Sequence, residues 1–306
     1  MSHELSHCPL CAETAQQEIY RARDRHYGIP GEYRIVRCAG CGLVFLNPAL
    51  SDQELAALYP ADYYAHQDRF HSAGWKEFLK KMLHCRIQTV DPRFPAPGRM
   101  LDLGCGSGWF MSMMRERGWE TYGVEPNAAA AQIGRQTAGL DIFTGLLEEA
   151  AFPDSFFDYV RSNHSFEHVS CPRSTLEEIH RVLRPDGKLF IGVPNIASLN
   201  ARLFREYWWY LGAPVHPFSY SVETLSRLLR EHNFLLQAVR YNSDYSGILG
   251  SLQIWRNRGN GRKSTEGRII NNPLLKLSCH WTAKLVDLFH QGDAIEITAM
   301  KTAASI

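Results

Sequence analysis

No stretch of this chain reaches the ~18 to 20 consecutive apolar residues needed to cross a bilayer, so the sequence predicts no transmembrane helix. The opening residues, MSHELSHCPL, have neither the basic n-region nor the apolar core of a secretory signal. The expectation is a cytoplasmic protein. Excess charge is also missing: 33 Lys and Arg face 32 Asp and Glu, for a formal net charge of +1. That balance leaves no electrostatic footprint for nucleic acid or for an acidic surface. Internal repeats and low-complexity tracts are absent. What remains is a globular composition, 45% hydrophobic and 21% charged, over 306 residues. That length suffices for a sizeable core and two domains.

The eight cysteines are not evenly spread. Cys8, Cys11, Cys38 and Cys41 form two Cys-x-x-Cys pairs with 26 residues between them. A disulfide framework, a redox motif and a metal site compete for this pattern. A reducing compartment disfavours disulfides, and a redox pair opens a helix and occurs singly. Here both pairs sit in turn-like contexts, CPLC and CAGCG. Such turns point backbone amides at thiolate sulfurs. Four thiolates satisfy a tetrahedral zinc ion with no open position, which makes the site structural. The expectation is a zinc ribbon over residues 1–50. Cys85, Cys105, Cys171 and Cys279 are scattered and read as packing residues.

Residues 51–98 read as a helical linker. Ser51 and Glu54 have the spacing of a capping box, a helix-like segment follows at about 75–90, and DPRFPAPGR at 91–99 marks a boundary with three prolines. Beyond it, Met100 to Leu103 reads as a short buried strand. Gly104, Gly106 and Gly108 form a tight turn, WFMSMMRERG reads as a helix, and TYGVE as a strand ending at Glu125. Strand, glycine turn, helix, strand and acid together hold a nucleoside, with the acid on the ribose hydroxyls. A dinucleotide fingerprint requires a third glycine at position 109, where Trp109 stands. The glycines alternate instead, with Asp102 ahead of them, which suits a cationic ligand lacking phosphate: S-adenosylmethionine.

LDLGCGSG followed by GVEP resembles motif I and the following acidic motif of the class I S-adenosylmethionine-dependent methyltransferases. The resemblance continues for about 100 residues, through TGLLEEAAFPDSFFDYVRSNHSFEHV and LEEIHRVLRPDGKLFIGVPN. It implies an α/β, Rossmann-like fold over residues 99–306, with a seven-stranded, mostly parallel sheet and an antiparallel last strand. It places Asp102 and the backbone of Gly104, Cys105 and Gly106 at the methionine amino end, with Gly108 completing the turn. Glu125, followed by Pro126, takes the ribose diol. Leu146 stands where an acid for the adenine amine is often found, so Leu146 and Leu147 are expected to offer apolar packing and amide contacts. Asn163 faces the methionine moiety.

A hydroxyl acceptor also needs a base. The candidates are His164 and His168 in SNHSFEHV, and His216 in YWWYLGAPVHPFSYS. The last follows an aromatic cluster in an expected lid at 196–220, where aromatic faces suit a sugar ring or another flat acceptor. An unusual insertion occupies 243–292. Its part RNRGNGRKSTEGR is expected to be a mobile basic loop. Leu274, Leu277, Trp281, Leu285 and Leu288 then lie at amphipathic-helix spacing, a face for the core or for a second copy in a homodimer. The ribbon ahead of the core resembles bacterial glycan and deoxysugar methyltransferases, which implies O-methylation of a saccharide or nucleotide-sugar. The alternative acceptor is a natural-product or quinone-like molecule. An RNA acceptor is disfavoured by net charge, and a non-catalytic binding protein by the intact glycine turn and acids.

Overall fold

The computed structural model describes residues 3–26, 28–58, 97–258 and 267–303. The helix expected at 75–90, Cys85, most of the boundary at 91–99 and much of the basic loop lie outside the described residues.

In chain order, the first part holds strands β1 (Gln16–Ala22), β2 (Tyr33–Cys38) and β3 (Val44–Leu46) and the short helix α1 (Asp52–Ala57). Then come β4 (Arg99–Leu103), α2 (Trp109–Arg115), β5 (Glu120–Glu125), α3 (Ala128–Ala138), β6 (Asp141–Thr144), β7 (Phe157–Asn163), α4 (Pro172–Val182) and β8 (Leu183–Pro194). The last part holds α5 (Leu199–Phe204), β9 (Phe218–Ser219), α6 (Val222–Glu231), β10 (Phe234–Tyr241), α7 (Ser246–Asn257), α8 (Pro273–Leu288) and β11 (Ala294–Lys301).

The large sheet has seven strands in the order β10-β11-β8-β7-β4-β5-β6. The pairs β4–β5, β4–β7 and β5–β6 are parallel, and β10–β11 is antiparallel, as the resemblance implies. On its central strands Met100, Leu101, Val124 and Val160 are fully buried, as expected of a parallel sheet. Local signals set the helices. The Asn127 side chain accepts from the Ala130 amide to start α3, and Gly139 at φ 57° ends it. Ser221 and Thr224 reciprocally cap α6. Strand β8 begins at Leu183 and so includes Pro185, Asp186 and Gly187.

Contacts divide the chain into two compact units. One comprises Ala61–Ser162 and Arg181–Lys188, and holds the glycine turn. The other comprises Met1–Pro60, Asn163–His180 and Leu189–Ile306. Within this second unit the cysteine-rich strands belong to a four-stranded sheet, β1-β2-β3-β9. Its last strand comes from residues 218–219, far along the chain from the 1–50 segment expected to make the ribbon alone. Ala22, Ile35, Val44 and Leu46 share one apolar cluster with Ile196, Ala201, Trp208, Leu211 and Ala213 of the expected lid. A small module that could not bury a core by itself thus borrows one.

Helix α8 forms as expected, capped by Asn272, whose side chain accepts from the Leu274 and Leu275 amides. Its apolar stripe, however, does not pack on the core among the described residues. Leu274, Leu277, Trp281, Leu285 and Leu288 are 55–78% exposed, and only Ala283 is buried. No helix of the described residues is long and apolar enough to cross a membrane.

Candidate functional site

The first constellation lies in the glycine turn between β4 and α2. Gly104, Gly106 and Gly108 take φ of 73°, 57° and 77°, the left-handed region that glycine enters freely. Their roles differ. A Cβ on Gly108 would come within 2.3 Å of Leu140 Cδ1, so this glycine lets the turn sit on its neighbours. A Cβ on Gly106 would meet nothing within 4 Å, so this glycine borders open space where a ligand can approach the backbone. Glu125 ends β5 and is buried. Its Oε2 accepts from the Gly106 amide at 2.8 Å, and its Oε1 from the Asn127 amide at 2.8 Å. The carboxylate is therefore aimed at the turn before any ligand arrives. Pro126, beside it, is exposed.

Asp102 is placed differently. It is buried, and its Oδ1 accepts from Arg161 Nη1 at 2.8 Å. The Arg161 guanidinium also stacks over the Phe110 ring at 3.8 Å. Burial pushes the Asp102 carboxyl above its ordinary value, and Arg161 opposes that rise. The amides of Gly104 and Cys105 both donate to the Val124 carbonyl, so what the turn has to offer a ligand ammonium is carbonyl oxygen. The Cys105 thiol is pushed well up by burial, then by Asp102 and Glu125, and stays protonated. Leu146 is 41% exposed, so its side chain can face an aromatic ring, but its amide already donates to Glu149 Oε2 at 2.8 Å. Leu147 is buried in the core. Asn163, at the end of β7, lies over Gly192, where a Cβ would come within 2.4 Å of Asn163 Oδ1.

The second constellation follows β7. His164 adopts φ 52°, and the single turn Phe166–His168 then carries Glu167 and His168. His216 arrives from the expected lid. The structure brings all three predicted histidines to one buried glutamate. His164 Nδ1 is 3.5 Å from Glu167 Oε1. The His168 and His216 rings meet edge to face with centroids 4.6 Å apart. His168 Nδ1 lies 2.8 Å from the Val215 carbonyl, and His216 Nδ1 lies 3.1 Å from the Tyr210 carbonyl. A carbonyl only accepts, so both Nδ1 atoms carry hydrogen and both Nε2 atoms carry the lone pair. Burial lowers His168, and burial followed by the charge of His168 brings His216 down to about 3. Burial also pulls on His164, but Glu167 outweighs it and the net direction is up. Burial would raise Glu167, yet the His164 hydrogen bond and the three histidines hold it below the usual carboxylate range.

Glu167 is the residue that sequence reasoning passed over. Its only signal was its place next to His168. The aromatic cluster also divides. Trp208 is buried, and its Nε1 donates to Asp293 Oδ1 at 2.9 Å, so it is a core residue. Tyr210 stacks on His164 with centroids 6.4 Å apart and donates its hydroxyl to Asp244.

The third constellation is the cysteine cluster. Cys8, Cys11, Cys38 and Cys41 lie together as a set that could hold a metal ion. The Cys8–Cys41 sulfurs are 3.6 Å apart and the Cys11–Cys38 sulfurs 3.4 Å. Tetrahedral bonds of about 2.3 Å put sulfurs about 3.8 Å apart, so the cluster fits zinc closely. Amides of Leu10 and Cys41 point at the Cys8 and Cys38 sulfurs. Burial opposes ionisation of Cys38, but the Cys41 amide and the neighbouring thiols bring it to about 7.

Comparison with known proteins gives this geometry its family. Residues 64–239, more than half of the chain, match a family described as Methyltransferase domain. The ubiquinone biosynthesis O-methyltransferase of Pseudomonas entomophila is 29% identical over 117 residues, covering 36% of this chain and 50% of that protein. The protein of the same name from Hahella chejuensis is 31% identical over 117 residues, covering 36% of this chain and 49% of its own. The chain spans about half the length of the curated relatives it matches. A solved S-adenosylmethionine-dependent methyltransferase from Archaeoglobus fulgidus shares the fold, with a TM-score of 0.50 at 21% identity over 78% of this chain and 99% of that one. The strand order, the glycine turn and these matches agree: the chain belongs to the methyltransferase-domain family and is built on the class I S-adenosylmethionine-dependent fold.

Proposed function

We propose that the chain is an S-adenosylmethionine-dependent methyltransferase acting on a hydroxyl oxygen of a small acceptor. The observation that carries this reading is Glu125, a buried carboxylate fixed by the Gly106 and Asn127 amides beside open space at Gly106. That is the arrangement a ribose diol requires. When bound, S-adenosylmethionine supplies a methyl group already activated on a sulfonium. The chain's residues then have three tasks. Glu125 takes the ribose hydroxyls. The carbonyls of the Gly104–Gly108 turn receive the ammonium end, while Asp102, paired with Arg161, anchors the end of the strand that leads into that turn. Leu146 lies against the adenine ring. Transfer itself mainly needs alignment, and a neutral hydroxyl must also lose its proton. His164 takes that proton, with Glu167 orienting its ring.

The four cysteines hold a structural zinc ion. With all four coordination positions closed, it takes no part in chemistry. Its task is to fix strands β2 and β3, which in turn carry β9.

The acceptor we favour is a saccharide or nucleotide-sugar. The supporting features are the aromatic ring of Tyr210 beside His164 and the cysteine-rich module ahead of the core. A quinone-like phenol is the second reading, favoured by the names of the two relatives above. Incubation with S-adenosylmethionine labelled on its methyl group, with nucleotide-sugars and dihydroxybenzenes as acceptors, tests both. Base-stable label on a sugar supports the first reading and label on a phenol the second. Label on neither class, with S-adenosylhomocysteine bound, would remove both.

A further inference from the structure

Glu167, His168 and His216 hold more chemistry than proton transfer requires. One donor atom from each lies within 4.8 Å of the others. Glu167 is only 2% exposed, and its Oε2 is buried without a hydrogen-bond partner among the described residues. A buried carboxylate oxygen in that state is costly unless a cation answers it. The Tyr220 hydroxyl, which senses the Glu167 charge, is likewise buried without a partner among the described residues. Both imidazoles, meanwhile, donate Nδ1–H to backbone carbonyls, at Val215 and Tyr210. This is the outer-shell anchoring that metal-binding histidines show, and it leaves Nε2 as the ligand atom.

We propose that Glu167 Oε2, His168 Nε2 and His216 Nε2 form a ligand set for a divalent transition-metal ion. Two imidazoles and one carboxylate suit zinc, iron, cobalt or nickel, whereas calcium and magnesium prefer all-oxygen shells. Ligands about 2.1 Å from one ion are at most about 4.2 Å apart. At tetrahedral angles such ligands are about 3.4 Å apart, so closing the cluster requires a pair at the 4.8 Å limit to contract by about 1.4 Å, through rotation of the ring side chains. This site is separate from the four cysteines, whose thiolates select differently.

The consequence for chemistry rests on the methyltransferase reading, while the ion site itself does not. Three protein ligands leave positions for an acceptor hydroxyl, and a coordinated hydroxyl becomes far more acidic. Its O–H bond would break with the electron pair kept on oxygen and the proton passed to His164. No oxidant or reductant is needed. An acceptor with two adjacent hydroxyls, whether on a sugar ring or on an aromatic ring, could chelate the ion, so that one chemistry covers both acceptor readings.

The test uses the intact chain with zinc in the cysteine cluster, titrated with Co²⁺ and followed by absorption spectroscopy and metal analysis. The expected result is one bound cobalt per chain with d–d bands and no thiolate charge-transfer band. Glu167→Gln, which keeps the side chain's shape, and His216→Gln should each weaken that binding at least tenfold, with near-UV circular dichroism unchanged. If either variant fails to fold, the other decides. Absence of cobalt binding outside the cysteine cluster overturns the site, and so does unchanged binding in the folded variants. S-adenosylhomocysteine titration of the same samples separates the two ideas. Cobalt without S-adenosylhomocysteine binding contradicts only the cofactor, and the reverse contradicts only the ion.

Discussion

The Leu46 amide donates to the Pro217 carbonyl at 2.9 Å. This hydrogen bond joins the strand that follows the second cysteine pair to the residue that follows His216. Two register pairs extend it, Val44 with Ser219 and Phe45 with Phe218. On the ribbon side, His26 Nε2 lies 2.8 Å from the Trp209 carbonyl, and the two rings meet edge to face. The cysteine module is thus a wall that holds the histidine segment in place.

It follows that zinc removal should act on chemistry at a distance. Chelation, or Cys38→Ser, should release the ion and disorder β2, β3 and β9. The methyl-transfer rate should then fall at least tenfold, while S-adenosylhomocysteine affinity changes little. Metal analysis and calorimetry on the same sample check this. Full activity in zinc-free protein would sever the link between module and site.

Gly212 should not tolerate a side chain. Its φ is 58°, and a Cβ there would come within 2.1 Å of His216 Nδ1. Gly212→Ala costs about 1–2 kcal/mol in backbone strain alone and must displace the His216 ring. We expect a lower melting temperature and a fall in kcat that exceeds any change in the KM for S-adenosylmethionine. A variant with wild-type kcat would show that His216 is not held at its working position by this approach.

Much of this could be read from the sequence, and the reason is local. The β4 turn, its glycines and Glu125 occupy 24 consecutive positions, Asp102 to Glu125, within which apolar runs and glycines report directly on the backbone. The capping box of Ser51 and Glu54 was equally legible, and each side chain accepts from the other residue's amide. The histidine cluster was not. His168 meets Val215 across 47 positions, and no periodicity connects them. Strand β9 is two residues long, too short to show alternation. The position of Asp102 before the glycines marks it as a ligand contact, but Arg161, its ion-pair partner, sits on another strand. The α8 stripe had the right spacing for a helix, yet spacing alone does not say what the apolar face meets.

Asp293 is predicted to be a keystone of the segment after β8. It is buried, and its carboxylate accepts from the Ser198 hydroxyl, from Asn200 Nδ2 and from Trp208 Nε1. Asp293→Ala would leave three buried donors without an acceptor. Orphaned donors cost about 1–3 kcal/mol each, so a loss of at least about 3 kcal/mol is expected in denaturant unfolding. A loss below about 1 kcal/mol would mean that the donors find other partners.

Acid should loosen the first cysteine turn before it unfolds the rest. Arg173 donates to the Pro9 and Leu10 carbonyls and also pairs with Glu231 at 2.6 Å. Burial would raise Glu231, but the hydrogen bonds of Arg227 and Arg173 hold it below the usual 4.5. Its contribution to stability is therefore complete above 4.5 and is lost as pH falls through the lower folded value. The pair is partly exposed, so the effect is at most about 1 kcal/mol. Glu231→Gln should remove this pH dependence, as followed by amide exchange in residues 8–12. An unchanged profile in the variant would assign the acid response elsewhere.

The most direct measurement is calorimetric titration of the intact protein with S-adenosylhomocysteine, beside NAD and beside the Glu125→Ala variant. The account predicts one S-adenosylhomocysteine per chain, no binding of NAD, and an affinity lowered at least tenfold in the variant, from one or two lost charge-assisted hydrogen bonds of about 1.5–3 kcal/mol each. Binding of NAD in preference, or equal S-adenosylhomocysteine affinity in wild type and Glu125→Ala, would contradict it.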